Sequence, residues 1–348
     1  MQIQDVLNTL VSGSPLHPDQ ARFFFDRMLA GGLEPAHIGA GLAMIQQRGA
    51  TVDELVAGAH AMRAHVTPVH TDPAWGVVID TCGTGGAPKT FNVSTIAAVV
   101  AAGVEPAPAR PRTLVAKHGN RSRTGRGSAE LLQALGVNVD ATPAQQSECL
   151  RRAGVCFCFA IHHHPATRYA TPVRQALGFP TIFNLLGPLT NPAGAQRQVL
   201  GVYDAVLAEK VAHTLSRLGC ERAWVLHSDD GLDELTVTAD ATVWDVGNAG
   251  VTRHRFTLRE AQAMGLRRAD LHDLRARDLD DAVRLARDVL DGANSPARDM
   301  VLLSAGAALL VAGTVGTLAE GVDASARSID SGRARATLDA LRSLSHGA

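Results

Sequence analysis

Hydrophobic residues follow two different patterns along this chain. Up to about residue 70 they recur every three or four positions, which predicts helices throughout. One helix begins at Pro18, a second at Pro35, and a third follows the capping box of Thr51 and Glu54. Such short helices bury too little surface to form a stable core of their own. We therefore expect them to pack on the rest of the chain or on a second copy, and we predict that they serve dimerisation.

From Val77 onward, short apolar runs alternate with amphipathic stretches. This alternation predicts an α/β core with a mainly parallel central sheet. The predicted strands are Val77–Thr81, Thr113–Ala116, Cys156–Phe159, Val199–Gly201, Ala223–Leu226, Thr236–Ala239 and Thr242–Val246. The predicted helices are the run after Thr95, Ser128–Leu135, Thr142–Ala153, Tyr169–Leu177, Ala205–Leu218, Asp280–Leu290 and Ser295–Val311.

The fold class we predict is α/β, with a small N-terminal helical domain and a large α/β domain. The helical domain spans residues 1–70 and is joined by a helical segment near 164–192, and the α/β catalytic domain spans 71–348. The chain crosses between the two parts near 67–76 and 164–192. We expect a cleft between them. Within the second crossing, Asn184–Pro192 is rich in proline and glycine, so we predict that it sets domain geometry.

The stretch VVIDTCGTGGAPKTFNVST, Val77 to Thr95, has the composition of a phosphate site. A buried strand leads into Gly83-Thr84-Gly85-Gly86, and polar residues then precede an apolar helix. Glycines allow successive N–H groups to converge on an anion, and the start of a helix is electrically positive. A glycine cluster is also an ordinary turn, so both interpretations stay open at this point.

A second strand ends in a comparable loop. Lys117-His118-Gly119-Asn120-Arg121 and Gly127-Ser128-Ala129-Glu130 supply a cation, an amide and a hydroxyl before a helix. The cations of this region form a solvated face, a nucleic-acid site or a polyphosphate site; they are Arg110, Arg112, Lys117, Arg121, Arg123 and Arg126. The absence of aromatic residues for base stacking favours polyphosphate.

Asp233 and Glu234 follow a predicted strand that ends at His227. Adjacent carboxylates directed into a phosphate site suit Mg²⁺, which takes one or two carboxylates together with water and substrate oxygens. An acidic turn is the alternative, and Asp229-Asp230-Gly231 has the sequence of one.

Three consecutive histidines, His162-His163-His164, cannot all bind one ion from regular structure. They line a pocket for an aromatic substrate or act as polar packing. Arg174, on an otherwise Ala/Val/Leu stretch, either anchors a carboxylate bidentately or makes a structural salt bridge.

Composition narrows the class of protein. The chain has 348 residues, 46% hydrophobic and 19% charged, and a formal net charge of −1, which argues against general nucleic-acid affinity. Its apolar runs are shorter than a membrane span and its N-terminus lacks the pattern of a signal peptide, so we expect a cytoplasmic protein. Five cysteines without paired spacing predict reduced, mostly buried thiols.

One ordered set of motifs identifies a family. GTGG, TFNVST, KHGNR, GSAE, HHP, PVR, TIFNLLGPLTNPAG and DEL follow one another along the chain. In that order they closely resemble the anthranilate phosphoribosyltransferases, which belong to the nucleoside-phosphorylase-like phosphoribosyltransferases. The resemblance extends to the C-terminal LLSAGAALLVAG and EGVDASARSIDSGRA, nearly the whole chain. It implies a homodimer that uses Mg²⁺ and phosphoribosyl pyrophosphate in tryptophan biosynthesis.

The resemblance also implies roles for individual residues. The phosphoribosyl pyrophosphate site would comprise Gly83, Gly86, Ala87, Thr90, Asn92, Val93, Ser94, Thr95, Lys117 and Ser128. Two Mg²⁺ ions are implied, one on Ser94 and Glu234 and the other on Asp233 and Glu234. Anthranilate would meet Gly83, Asn120 and Arg174, with His118, His163 and His164 nearby. Lys117, Asn120 and Arg174 would be the catalytic set.

The sequence departs from the family pattern in three places. Ala87 follows GTGG where the family usually has aspartate, and Arg123 and Thr124 stand where small or hydroxylated residues are usual. Val104–Arg112, VEPAPARPR, has the composition of an exposed insertion, and we expect it beside the substrate loop.

The expected reaction moves the phosphoribosyl group to the amine of anthranilate, with inversion at C1 and release of pyrophosphate. Two alternatives remain at the sequence level: a non-catalytic nucleic-acid-binding relative, favoured by Ala87 and the extra arginines, and a nucleoside phosphorylase.

Overall fold

A seven-stranded sheet forms the centre of the molecule. The structure is a computed structural model, and it describes residues 1–88, 90–122 and 125–347. The strand order is β3-β2-β1-β4-β5-β6-β7. Strands β1 to β5 are parallel to one another, and β6 pairs antiparallel with both β5 and β7. The strands are β1 Val77–Gly83, β2 Thr113–Gly119, β3 Val155–Phe159, β4 Arg197–Gly201, β5 Arg222–Ser228, β6 Ala241–Gly247 and β7 Gly250–Phe256.

Helices precede the sheet in the chain and alternate with its strands. The first four are α1 Ile3–Val11, α2 Pro18–Leu29, α3 Pro35–Arg48 and α4 Val52–Ala64. The next six are α5 Val93–Ala102, α6 Ser128–Ala134, α7 Pro143–Ala153, α8 Ala160–His163, α9 Thr171–Leu177 and α10 Phe183–Leu186. The last are α11 Ala205–Arg217, α12 Leu258–Ala263, α13 Leu279–Leu290, α14 Pro296–Ala312, α15 Leu318–Asp330 and α16 Arg333–Ser345.

Two apolar clusters flank the sheet because side chains alternate across a strand. On β5, Trp224 and Leu226 enter one cluster, together with residues of α5, α14 and α16. Ala223 and Val225 enter the other, with residues of α1 to α4, α10 and α11. The N-terminal helices therefore bury their apolar faces on the same side of the sheet as α11, and residues of the 164–192 crossing pack among them.

The predicted elements agree with the structure except for one strand, and the helices α8, α12, α15 and α16 were not predicted. Thr236–Ala239 is not a strand, and that prediction was wrong: the Thr236 hydroxyl accepts from the Thr238 N–H at 3.1 Å, so a local side-chain bond replaces ladder pairing. The strand β7 was not predicted. Its middle residues Thr252 to Arg255 are exposed and mostly charged, so only pairing with β6 reveals it. The capping box of Thr51 and Glu54 is confirmed.

The proline-rich segment 104–112 lies away from the substrate loops, which corrects our expectation. Helix α5 begins beside the glycine loop and runs away from it, and the segment follows its C-terminus and precedes the first residue of β2. Arg112 donates to the carbonyls of Arg151 and Arg152, and Glu105 pairs with Arg333 of α16. Segment 104–112 therefore packs at the edge of the sheet opposite to the carboxyl ends of the strands.

Two further observations concern the whole chain. All five cysteines are free; Cys82, Cys149, Cys156 and Cys158 are buried and Cys220 is half-buried. Among the described residues, no helix combines the length and the apolar character needed to cross a bilayer.

Candidate active site

A cleft of about 530 Å³ opens where the parallel strands β1, β2 and β4 end. Ligands of open α/β sheets bind at such carboxyl edges. Most of the sequence-predicted site residues line this cleft, and they are Gly83, Gly86, Ala87, Thr90, Asn92, Ser94, Thr95, Lys117, His118, Asn120, Ser128, Arg174, Asp233 and Glu234. Val93, His163 and His164 lie behind it, with Val93 fully buried in the core.

The glycine loop takes a backbone shape that other residues rarely adopt. Gly85 and Gly86 have φ values of +67° and +97°, in the left-handed region. A Cβ on Gly86 would also lie 3.0 Å from the ring of Tyr203, which packs beneath the loop. At the far end of the loop, Asn92 is left-handed as well, with φ of 65°, and caps α5. The loop therefore presents backbone rather than side chains to the cleft.

Two hydrogen bonds fix the position of the Lys117 ammonium group. Its side chain on β2 is buried, and Nζ donates to the Thr81 carbonyl at 2.5 Å and to the Ser94 hydroxyl at 3.1 Å. Burial lowers the pKa of Lys117, and the negative charge of buried Asp80 opposes that shift. Asp80 also accepts from the backbone N–H of His118 at 3.0 Å. Asp80 therefore supports the strand end that carries Lys117 and His118.

Two glycines make room for the carboxylate pair. A Cβ on Gly201, the last residue of β4, would lie 1.6 Å from the carbonyl oxygen of Asp233. A Cβ on Gly83, the last residue of β1, would lie 2.5 Å from Asp233 Oδ2. Asp233 and Glu234 therefore sit directly over the ends of two strands, on the cleft side. Two carboxylates and the Ser94 hydroxyl are hard oxygen donors, so this set fits Mg²⁺.

The loop between β2 and α6 is closely folded on itself. The Ser128 hydroxyl donates to the Asn120 carbonyl at 3.3 Å, and a Cβ on Gly119 would lie 2.3 Å from that hydroxyl oxygen. A Cβ on Gly127 would lie 2.7 Å from the Asn120 carbonyl oxygen. These glycines bring Asn120 and Ser128 to the same wall of the cleft as the glycine loop. We call residues 83–88, 90–95, 117, 119–122, 125–128 and 233–234 the phosphate wall.

The opposite wall consists of side chains on short helices. The guanidinium carbon of Arg174, on α9, lies 4.8 Å from the centre of the Phe183 ring on α10. Asn184 and Gly187 also line the cleft here, and the Asn184 amide oxygen accepts from the Thr181 N–H at 3.1 Å. We call Arg174, Phe183, Asn184, Gly187 and the adjoining His118 the aromatic wall. The composition of Asn184–Pro192 predicted only a role in domain geometry, so Asn184, Gly187 and Pro188 were not predicted as cleft residues.

The histidines near the cleft are arranged in layers. His118 lines the cleft, and its Nε2 lies 3.2 Å from His164 Nε2, so one ring donates to the other. Burial lowers the pKa of His118 well below its usual value and lowers the pKa of His164 to about 4. His163 Nδ1 lies 2.7 Å from the Thr67 carbonyl oxygen, and exposed His162 pairs with Asp140. His163 and His164 therefore act as buried packing behind His118.

The run of cations separates into two groups in three dimensions. Arg110 and Arg112 lie at the opposite edge of the sheet, near Gly316 and the end of α7 respectively. Lys117, Arg121 and Arg126 line the cleft. Arg123 and Thr124 fall outside the described residues. The segment is therefore not one continuous basic surface.

Comparison with known proteins agrees with this architecture. The profile of the glycosyl transferase family, a/b domain, matches residues 76–335, and that of the glycosyl transferase family, helical bundle domain, matches residues 4–66. The anthranilate phosphoribosyltransferase of Caulobacter vibrioides is 47% identical over 97% of this chain and 95% of that protein. That of Methylobacillus flagellatus is 42% identical over 98% of each.

Solved structures give the same result. The crystal structure of anthranilate phosphoribosyltransferase from Thermus thermophilus superposes with a TM-score of 0.88 at 37% identity, covering 99% of this chain and 100% of that one. The enzyme of Saccharomyces cerevisiae in complex with phosphoribosyl pyrophosphate and Mg shares the fold, with a TM-score of 0.85 at 23% identity over 99% and 98% of the two chains.

The chain therefore belongs to the glycosyl transferase family that joins a helical bundle to an α/β domain. Within that family its relatives are the anthranilate phosphoribosyltransferases, and the resemblance drawn from the motifs is confirmed. The predicted fold class, a helical domain with a large, mostly parallel α/β domain, is confirmed as well.

Proposed function

We infer that the protein transfers the phosphoribosyl group of phosphoribosyl pyrophosphate to the amine of anthranilate, giving N-(5-phosphoribosyl)anthranilate and pyrophosphate. The observation that carries this inference is one cleft whose two walls differ in chemistry. One wall offers glycine backbone, a buried lysine and a carboxylate pair, and the other offers an arginine stacked on a phenylalanine. The comparisons support this reaction, and they do not favour nucleic-acid binding or nucleoside phosphorolysis.

On the phosphate wall, we assign the phosphoribosyl pyrophosphate to the loop from Gly83 to Thr95, together with Lys117 and Ser128. Backbone N–H groups of the loop and of the first turn of α5 suit phosphate oxygens. Lys117 Nζ, held by the Thr81 carbonyl and the Ser94 hydroxyl, adds a hydrogen-bond donor beside them. For Val93, whose side chain is in the core, only the backbone is available for this role.

Mg²⁺ is the metal that this wall suits, and we propose two ions per subunit. Ser94 and Glu234 would hold one, and Asp233 and Glu234 the other. When bound, the metal neutralises charge that develops on the departing pyrophosphate oxygens. Lys117 and the loop amides stabilise the same charge from the protein side.

On the aromatic wall, we assign the carboxylate of anthranilate to Arg174, with His118 beside the ring, and Gly83 and Asn120 of the phosphate wall adjoin the same ring. An aromatic amine is neutral near pH 7, so it needs placement more than deprotonation. His118 is neutral at that pH because burial lowers its pKa. Catalysis then comes from holding the amine close to C1 in line with the departing group. No covalent intermediate is required.

Loss of anthranilate fluorescence tests the reaction. We expect the purified protein to consume anthranilate only when phosphoribosyl pyrophosphate and Mg²⁺ are both present, with one pyrophosphate released per anthranilate consumed. Chelation by EDTA should stop turnover, and excess Mg²⁺ should restore it. Failure to consume anthranilate, together with thymidine phosphorolysis or with salt-dependent retention of DNA, would reject the assignment in favour of one of the alternatives.

We also propose a homodimer joined through the helical domain, residues 1–70, with 71–348 as the catalytic domain. Val11 on α1 is 74% exposed, and Tyr169 and Phe179, which flank α9, are partly exposed. Helices α1 and α9 both contact α3, and large exposed apolar side chains on one group of helices suit an interface. Sedimentation equilibrium should give twice the chain mass, and Val11→Glu should shift the equilibrium toward monomer. A monomer at micromolar concentration contradicts the proposal.

A further inference from the structure

Arg126 lies where three segments meet at the cleft. Its carbonyl oxygen accepts from the Asn92 side-chain amide at 3.1 Å, and its guanidinium Nη1 donates to the Ala276 carbonyl. Ala276 in turn donates its N–H to the Thr90 carbonyl at 3.4 Å. Thr90 and Asn92 belong to the end of the glycine loop. These bonds therefore hold Arg126 against the phosphate wall.

The other cations that line the cleft are already engaged. Lys117 directs two of its three donors at Thr81 and Ser94. The Arg121 guanidinium lies 5.5 Å from the centre of the Phe159 ring and donates to Gln133 at 3.4 Å. Arg174 is stacked on Phe183 in the aromatic wall. Among the described residues, Lys117 and Arg126 are therefore the cations of the phosphate wall that a pyrophosphate group can use.

The guanidinium of Arg126 has both charge and donors available for a ligand. Its protein partner is a neutral carbonyl, and within residues 1–88, 90–122 and 125–347 no salt bridge joins it to a carboxylate. By contrast, Arg277 and Arg284, which follow Ala276 in the chain, both form salt bridges with Asp281. An arginine presents five donors in a planar fork that matches two phosphate oxygens. One donor serves Ala276, which leaves the rest of the fork at the cleft.

We propose that Arg126 is a further substrate-binding residue, which binds the pyrophosphate group of phosphoribosyl pyrophosphate from the cleft mouth. The assignment rests on the proposed function for the identity of the ligand. Its bonds through Ala276 and Asn92 position the guanidinium, and its charge supplies the affinity. The sequence places Arg126 in a run of six cations that favours polyphosphate, and only the fold, which brings residues 90–92, 126 and 276 together, distinguishes Arg126 from the rest of that run.

Arg126→Gln and Arg126→Lys test the assignment, with Arg110→Gln as the matched control on the opposite edge of the sheet. For Arg126→Gln we expect the KM for phosphoribosyl pyrophosphate to rise about tenfold to a hundredfold, while the KM for anthranilate changes about twofold or less. Arg126→Lys keeps the charge and should lose only part of the affinity. Arg110→Gln should leave both values close to those of the unchanged protein.

Calorimetric binding of inorganic pyrophosphate with Mg²⁺, at low and high salt, separates ligand binding from a purely structural role. We expect Arg126→Gln to weaken this binding and to flatten its salt dependence, since one charge contact is lost. If both variants bound pyrophosphate with unchanged affinity but had a lowered melting temperature, the assignment would be overturned. Arg126 would then only stabilise the contact between the loops. If the unchanged protein bound pyrophosphate but did not consume anthranilate, the proposed function would fail, and the binding measurements would still decide the role of Arg126.

Discussion

The two walls of the cleft are built by different means. The phosphate wall is mostly backbone, and it depends on glycines that end β1 and β4 and on a left-handed loop. The aromatic wall is mostly side chains, carried on α9, on α10 and on the end of β2. In the first wall, a residue that replaces a strand-ending glycine must move main chain, whereas the second wall can lose a side chain and keep its shape. We therefore expect damage to the backbone or the carboxylate pair of the phosphate wall to lower turnover, and damage to the aromatic wall to weaken binding of one substrate.

The largest effect is expected from removing the carboxylate pair. Asp233→Ala combined with Glu234→Ala should lower kcat about a thousandfold, because charge on the departing pyrophosphate is then no longer neutralised. Steady-state kinetics with saturating Mg²⁺ measures it. Asp229→Asn is the control: Asp229 lies in the neighbouring acidic turn, is exposed and pairs with Arg255. Near-normal rates in the double variant would show that the metal assignment is wrong.

A methyl group at the end of β4 should have the next largest effect. In Gly201→Ala the new Cβ would lie 1.6 Å from the Asp233 carbonyl oxygen, so the carboxylate loop must shift. We expect stability to fall by about 1–3 kcal/mol and kcat by about a hundredfold. Urea denaturation and kinetics test both. Gly247→Ala, which has open space around its Cβ, should change neither. If Gly201→Ala and Gly247→Ala had the same stability and the same kcat, the proposal that backbone packing shapes the phosphate wall would be contradicted.

Loss of the Arg174 side chain should mainly weaken the binding of anthranilate. Arg174→Ala should raise the KM for anthranilate about tenfold to a hundredfold with a much smaller change in kcat, because a carboxylate anchor acts before the chemical step. Arg174→Lys should recover part of the loss. Arg168→Ala, which removes an exposed arginine that donates to Tyr169, is the control. An unchanged KM would place Arg174 among the structural residues.

The smallest effect concerns pH. Burial lowers the pKa of His164 to about 4 and that of His118 well below its usual value, so both stay neutral from pH 6 to 8. We expect kcat/KM for anthranilate to vary by about twofold or less over that range. An acid limb near pH 6.5 that disappears in His118→Gln would show that His118 is charged during catalysis.

The same shift predicts a stability change with a definite sign. An unfolded histidine binds its proton below about pH 6.5, whereas folded His164 binds one only below about pH 4. Stability is therefore lost as the pH falls through that window, by about 1.4 kcal/mol per pH unit for this group. Urea titrations at pH 7 and 5 measure the loss, and His164→Gln should reduce it. His213→Gln, at an exposed position on α11, is the control.

Much of the phosphate wall could be predicted because its chemistry is local. GTGG, NVST and DEL each carry their function in adjacent residues, so position in the chain nearly equals position in the site. The aromatic wall was predicted less completely. Asn184 and Gly187 sit in a stretch without titratable groups, and only the packing of α10 against α4 brings them to the cleft. The edge strand β7 was missed because its pairing with β6 outweighed weak local propensity, and the strand predicted at 236–239 was wrong because a local side-chain hydrogen bond takes the place of ladder pairing.

Alternation of apolar residues, glycine placement and ordered motifs were enough to determine the class of fold, the family and the chemistry of the main loops. Tertiary structure alone decided which cations face the cleft, that VEPAPARPR lies at the opposite edge of the sheet, and that His163 and His164 are buried behind His118. The physical reason is the separation along the chain over which each kind of interaction acts. Backbone conformation and capping act over a few residues, whereas contacts such as that of Arg126 with Ala276 join positions 150 residues apart and exist only once the sheet has aligned its strand ends.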